Sequence, residues 1–252
     1  MSTIPLATTS IGEGPPIWLV HGQLADPVRA WSRLAPLADR WRLTFVHRPG
    51  YGSSPATGRS DWVSEGERLG EIIEPGAHLV GHSYGAMVAM VAASRTPVAS
   101  LTLIEPPAFS LVRGEPSVEA LLADVEAIQA DAEASPAQAL RRFLASQQLA
   151  AEVPDELPRE LADHVTLVRT ERLPWGAAPP TAELAGEPYA KLVLSGGDGE
   201  AREHVADVLA VAIGARRLVI PGGGHNAHRL GARFNDALET FLLPVTRQEP
   251  HQ

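Results

Sequence analysis

The 252-residue chain contains no cysteine, which excludes disulfides, thiolate nucleophiles, iron–sulfur clusters and Cys-ligated zinc together. Its fold is held by packing alone. Lysine is nearly absent as well: one lysine stands beside twenty arginines, and 30 acidic residues outnumber the 21 bases to leave a formal charge of −9. A chain of that sign repels nucleic acid and anionic membranes, so neither is expected as a partner. Aromatic residues make up only 5% of the chain. The longest apolar run, Ala86–Ala93, falls far short of the roughly 20 residues that a bilayer-spanning helix needs. The opening Met-Ser-Thr-Ile-Pro has no basic residue ahead of an apolar block, so a secretory leader is not expected and the cytoplasm is the expected location.

What is present is enough for one large core. With 44% apolar and 20% charged residues and no biased tract, the composition is that of a globular protein, and a chain of this length buries about 70% of its surface. Short β-rich runs at Ile17–Val20, Leu43–His47, Leu79–Gly81, Leu101–Ile104, Leu192–Ser195 and Leu218–Ile220 alternate with amphipathic stretches. That is the pattern of a parallel sheet with crossover helices. Asp26-Pro27 opens a helix with Trp31, Leu34 and Ala38 on one face, and Asp61 precedes another carrying Trp62, Leu69, Ile72 and Ile73. Gly85–Arg95 is poor in polar residues, as a central helix would be, and Arg202–Ile213 and Arg229–Leu242 read as later helices.

Between about 107 and 187 the alternation stops, and helical patterns follow one another without a strand. Ser117 begins one helix with Leu121, Val125 and Ile128 aligned. Ser135-Pro136-Ala137-Gln138 is a capping box opening a second, with Leu140, Phe143 and Leu144 together, and a third runs from Pro158 to Arg172. The acid excess gathers here too, with 14 Asp/Glu against 5 Arg in residues 115–187 and 16 of each sign elsewhere. The expected organisation is a core of residues 1–106 and 188–252, a helical cap inserted at 107–187, and a frayed tail at 244–252.

Several loops carry residues capable of chemistry. Gly81-His82-Ser83-Tyr84-Gly85 lies directly after an apolar strand and directly before a helix, the context a nucleophile elbow requires. So tight a turn forces its middle residue into a strained backbone, while glycines two positions either side let strand and helix pass closely. His21-Gly22-Gln23 ends the strand Ile17–Val20. Arg48-Pro49-Gly50-Tyr51-Gly52-Ser53-Ser54 follows Leu43–His47, and Pro221-Gly222-Gly223-Gly224-His225 follows the last strand.

With these loops the chain resembles the α/β-hydrolase family over most of its length. The resemblance implies an α/β fold, with a mostly parallel sheet, flanking helices and an inserted helical cap. Only 16 residues precede Ile17, where the family usually has two strands, so six to seven strands are expected instead of eight. It implies Ser83 as nucleophile, His225 as general base and the Gln23 and Tyr84 amides as the oxyanion hole. His21 then shapes its turn, the 48–54 loop is structural, and His228 is a surface or packing histidine. His47 stands where many relatives have Asp.

Two carboxylates qualify as the orienting acid. Asp198, in Ser195-Gly196-Gly197-Asp198-Gly199, follows the strand where the family most often keeps it, although aligning Gly196 with the family's glycine puts the usual acid position on Gly199. Asp198 is equally suited to cap the helix starting near Glu200. Glu105 ends Leu101–Ile104 and is followed by Pro106-Pro107. A carboxylate at the rim of a buried strand costs free energy unless it has a partner, and a lactone-opening branch of the family carries its acid at this strand end. Glu105 is therefore favoured over Asp198.

No metal or cofactor is expected: His78 and His82 fall on a strand and its turn rather than on one helical face, and Gly222–Gly224 lacks the lysine of a phosphate loop. The implied activity is that of a serine hydrolase attacking an ester, thioester or lactone through an acyl-enzyme. Its substrate would be small and apolar, admitted beneath the cap, with Trp175 as a pocket wall. Activity should rise between about pH 5 and 8 as His225 loses its proton. The alternatives are a non-hydrolytic catalyst on the same fold, such as a lyase, cyclase or cofactor-free oxygenase, and a small-molecule-binding protein with a vestigial triad. Oligomeric state has no sequence signature here.

Overall fold

A computed structural model describes residues 6–149 and 151–246. The apolar runs become β2 (Pro16–Val20), β3 (Arg42–His47), β4 (His78–His82), β5 (Ser100–Ile104), β6 (Ala190–Ser195) and β7 (Arg216–Val219), all parallel, and β1 (Ala7–Ile11) joins them antiparallel beside β3. The resulting seven-stranded sheet has the order β1-β3-β2-β4-β5-β6-β7. β1 has no apolar alternation and four of its five residues are exposed, so no pattern marked it as a strand.

The helices are α1 (Trp62–Ile72), α2 (Tyr84–Ala93), α3 (Pro116–Ala130), α4 (Pro136–Ser146), α5 (Arg159–Thr170), α6 (Thr181–Gly186), α7 (Glu200–Ala212) and α8 (Ala232–Thr246). Asp61 caps α1 by accepting from the Val63 amide, and Ser135 and Gln138 form the capping box of α4. Asp26 accepts from the Val28 and Arg29 amides at 3.0 and 2.7 Å, but the element it opens, Arg29–Asp39, is a 3₁₀ helix. Its three-residue period buries Trp31, Leu34 and Leu37, which leaves Ala38 only half-buried. Ile72 is likewise exposed while Ile73 is buried. The helix expected from Arg229 starts at Ala232, after a separate 3₁₀ turn at Gly224–Arg229. Residues 244–246 of the expected tail belong to α8; the rest of it, like the Met1–Pro5 segment, lies outside the described residues.

The sheet is covered on both faces. One core unites α1, α2 and α7 with residues such as Leu79, Leu101, Leu103 and Val193; the other unites Trp31, Leu34, Phe234 and Leu238 with Ile17, Leu19, Leu43 and Leu194. α2 is buried along its whole length, which explains its lack of polar residues. Between β5 and β6 the chain is helical, and Ile128, Leu140, Phe143, Val165 and Val168 from α3, α4 and α5 form a third apolar cluster of their own. Among the described residues no helix is long and apolar enough to cross a membrane.

The register aligns the strand ends. Val20 pairs with Gly81, His82 with Ile104, Ile104 with Leu194, and Ser195 with Val219. Beyond the last pairs the row continues, because the Ser83 amide donates to the Ile104 carbonyl and the Glu105 amide to the Leu194 carbonyl. Strand order reverses between β2 and β4, so the crevice outside their carboxyl ends is the natural place for a ligand in an open α/β sheet. Gln23, Ser83, Glu105 and His225 all follow strands at that edge.

Candidate active site

Ser83 has φ 53° and ψ −125°, a conformation that L-residues other than glycine rarely adopt. The strain is held by the strand-to-helix turn, and it exists only because Gly81 and Gly85 lack side chains. A Cβ at Gly85 would collide with the Val20 and His21 carbonyl oxygens, and one at Gly81 with the start of α2. Ser83 Oγ lies 3.0 Å from His225 Nε2. His225 comes from the 3₁₀ turn after β7. Its loop packs so tightly on the turn after β6 that a Cβ at Gly196 would collide with Gly224. The His82 Nε2–H donates to the His225 carbonyl at 2.8 Å and steadies the same loop from below.

Glu105 is strained as well, with φ 48°. One carboxylate oxygen, Oε1, accepts from the Gly196 amide at 2.7 Å; the other, Oε2, stands 3.7 Å from His225 Nδ1 and 4.0 Å from Arg202 Nε. Nδ1 has no hydrogen-bond partner, so the Glu105–His225 contact is longer than a bond, as resting catalytic contacts often are before substrate arrives. Asp198, the alternative acid, is exposed on the turn before α7 and makes no hydrogen bond to His225. Nor does it cap α7, whose N-cap is Gly199. Geometry thus brings Ser83, His225 and Glu105 together and leaves Asp198 outside.

Burial dominates the electrostatics. It pushes the Glu105 carboxyl above the usual carboxylate range, while the Gly196 amide and the Arg202 cation pull it back. The His225 imidazole, buried and facing Arg202, is lowered to about 3. His228 is buried rather than superficial, packed against Trp31 and His82 with ring centroids 5.0 and 4.1 Å apart.

Gln23 follows β2 and Tyr84 opens α2, and neither amide has a protein acceptor among the described residues. Their loop is held by a network that no sequence pattern indicated. The Gln23 side-chain amide donates to Glu171 Oε2 at 2.6 Å, Arg48 Nη2 donates to Glu171 Oε1 at 2.7 Å, and Arg48 Nε donates to Glu65 Oε2 at 2.8 Å. All three charged side chains are essentially solvent-free. The guanidinium also lies 4.1 Å over the Tyr84 ring and reaches the Gly22 carbonyl. His21 Nδ1–H donates to the Gly22 carbonyl, and its Nε2 accepts from the Arg48 amide, so His21 shapes the turn. His47 accepts the Ser53 amide hydrogen on Nδ1, which leaves Nε2–H for Thr9 Oγ1 and ties the 48–54 loop to β1.

Ser83 stands where two cavities meet. The first is walled by Pro106, Phe109, Val168 and Trp175 and by the α3 stripe Leu121, Val125 and Ile128. The second runs past Leu24, Ala25, Leu144, Leu149 and the loop of His225, Asn226 and His228. Gln23, Phe143, Gln147 and His225 line both. Trp175 is fixed there by a 2.8 Å bond from its indole N–H to Glu126. Among the described residues no cluster of His, Asp and Glu has the spacing to hold a metal ion.

Residues 19–237, most of the chain, match the model of the alpha/beta hydrolase family. The chain belongs to that family. It is 42% identical over 152 residues to the pimeloyl-[acyl-carrier protein] methyl ester esterase of Methylococcus capsulatus, a match covering 54% of each chain. It is 34% identical over 151 residues to the enzyme of the same name from Chromobacterium violaceum, covering 58% of each. The matched stretches thus span little more than half the length of these curated relatives. Among solved structures, MenH from S. aureus superposes with a TM-score of 0.73 at 18% identity, covering 95% of this chain and 98% of that one, a likeness that concerns the fold.

Within the family's frame, Arg48, Glu65 and Glu171 escaped sequence reading because their pairing spans up to 123 residues of chain. Arg202 and Gln147, which line the first cavity, escaped it for the same reason. The one available signal was Arg48 itself, a cation directly after a strand whose residues 43–47 are buried.

Proposed function

We propose that the protein is a serine hydrolase that cleaves a carboxylic ester through an acyl-enzyme. The observation that carries this reading is the 3.0 Å approach of His225 Nε2 to the hydroxyl of a strained Ser83. As Ser83 Oγ attacks the carbonyl carbon, its proton passes to His225 Nε2, and the Gln23 and Tyr84 amides receive the developing oxyanion, a contribution of about 3 kcal/mol per donor. Collapse breaks the bond to the alcohol oxygen, which takes the proton from Nε2. Water then repeats the sequence on the acyl-enzyme, releasing the acid and regenerating Ser83. Glu105 orients the imidazole and stabilises the imidazolium. None of these steps requires a cofactor.

The helices of residues 107–187 act as the cap. Its α3 stripe and Trp175 give the first cavity apolar walls suited to the acyl chain, and the second cavity, beside the loop that protonates the leaving oxygen, receives the alcohol. The curated relatives are methyl ester esterases by name, which accords with a small alcohol. A thioester or lactone carbonyl presents the same electrophile, and ring size or thiol bulk decides whether it fits.

The test is hydrolysis of p-nitrophenyl esters together with fluorophosphonate labelling. The expected result is turnover lost in Ser83→Ala and a single covalent adduct located on Ser83 by mass spectrometry. An unlabelled Ser83, or turnover that survives the substitution, overturns the reading in favour of a non-hydrolytic catalyst or a binding protein.

A further inference from the structure

Arg202 sits in the first turn of α7, yet its side chain is only 8% exposed and points back into the first cavity. Burying a guanidinium is costly, and this one makes only part of the bonding it could. Its Nη2 donates to the Ser146 carbonyl at 3.2 Å and to Gln147 Oε1 at 2.9 Å. Both acceptors lie at the C-terminal end of α4, where unpaired carbonyls attract a cation. Its Nε faces Glu105 Oε2 at 4.0 Å, close enough for strong Coulombic attraction and too far for a hydrogen bond.

We propose that Arg202 is a positioning residue that links the seating of cap helix α4 to the Glu105 carboxylate: it supplies the buried counter-charge, while its tether to Ser146 and Gln147 keeps it from taking that carboxylate away from His225.

Two opposing demands meet at Glu105. A buried carboxylate with no cation nearby takes up a proton, and a neutral acid cannot stabilise the imidazolium formed during attack. An untethered guanidinium would instead pair bidentately with Glu105 and occupy both oxygens that now serve Gly196 and His225. Holding Nη2 on α4 leaves the cation at intermediate range and satisfies both demands. The other charged groups around the acid do not fill this role. Arg217 on β7 is paired with Glu203 and Asp207, His82 on β4 is spent on the His225 carbonyl, His228 is packed against Trp31, and Asp198 is exposed. The carboxyl responds to burial first, to the Gly196 amide next and to Arg202 as the leading charge.

This inference rests on the hydrolase reading, so the test separates the two. Wild-type full-length protein is first assayed with p-nitrophenyl butyrate; absence of turnover overturns the parent reading and leaves no acid limb to compare. Given turnover, pH profiles of kcat/KM are recorded for Arg202→Met, Arg202→Lys and Gln147→Leu, with folding checked by circular dichroism. Loss of the cation in Arg202→Met raises the proton affinity of the Glu105–His225 pair and moves the acid limb up by about one pH unit. Arg202→Lys, which keeps the charge, returns the limb to its wild-type position. Gln147→Leu moves the limb, if at all, to lower pH, because the released guanidinium draws closer to Glu105, and lowers kcat about tenfold with KM little changed, because that guanidinium competes with His225. An unmoved limb in Arg202→Met, or wild-type kcat in Gln147→Leu, overturns the proposal. Should Arg202→Met fail to fold, Gln147→Leu decides alone.

Discussion

Replacing Glu105 with glutamine isolates the charge of the acid, because glutamine retains the volume and can still accept the Gly196 amide hydrogen through its carbonyl oxygen. What disappears is the negative charge 3.7 Å from His225 Nδ1. That charge matters most in the transition state, when His225 holds the Ser83 proton. At the effective dielectric near 20 that describes such sites, two unit charges about 4 Å apart attract by about 4 kcal/mol. Each 1.4 kcal/mol or so is a factor of ten in rate, so Glu105→Gln is expected to lower kcat/KM by about three orders of magnitude. Arg202, now facing the imidazolium without an intervening anion, deepens the loss. Asp198→Asn alters an exposed side chain with no bond to His225 and is expected to stay within about twofold of wild type. Initial rates of p-nitrophenyl butyrate hydrolysis at pH 8, with thermal melting of each variant, make the comparison. A Glu105→Gln enzyme that keeps a tenth or more of its activity, or an Asp198→Asn enzyme that loses more, would refute the assignment of the acid.

Two further outcomes follow from burial. Burial lowers His225 to about 3 and raises the Glu105 carboxyl, so as the pH falls Glu105 should take up a proton before His225 does, and the acid limb of kcat/KM should follow the carboxyl rather than the imidazole. A limb near the usual histidine value of about 6.5 that persists in Glu105→Gln would show that His225 itself titrates there and that desolvation does not control it. Arg48→Met strands the buried Glu65 and Glu171 carboxylates and is expected to cost about 3–5 kcal/mol in urea unfolding. A change under about 1 kcal/mol, the scale of a surface substitution, would mean that the carboxylates neutralise without penalty.

The elements easiest to read were those whose cause is local. Gly81 and Gly85 flank Ser83 because strand and helix must cross there, and that constraint is written in five consecutive residues. The same holds for the Ser135–Gln138 capping box. The α3 stripe was also legible, as a 3.6-residue period. Periodicity shows which face is apolar without showing what it faces: Leu121 and Val125 line the cavity beside Ser83, Val118 and Leu122 carry buried packing, and Ile128 does both. The Arg29–Asp39 segment misled by one residue per turn, since a 3₁₀ helix buries Leu37 where an α-helix would bury Ala38.

Alternating apolar runs, glycine placement and the absence of cysteine by themselves determined a cysteine-free α/β sheet with a serine elbow and a histidine loop near its last strand, because each depends on neighbours within a few residues. Tertiary structure alone decided which carboxylate meets His225, how Arg48 joins Glu65 to Glu171, and where Arg202 comes to rest. Glu105 and the Gly196 amide that holds it are 91 residues apart, and Arg48 and Glu171 are 123 apart. Such pairs arise from strand register and from the docking of the helices between β5 and β6, and buried charges select their partners by distance and desolvation in space, which no spacing along the chain encodes.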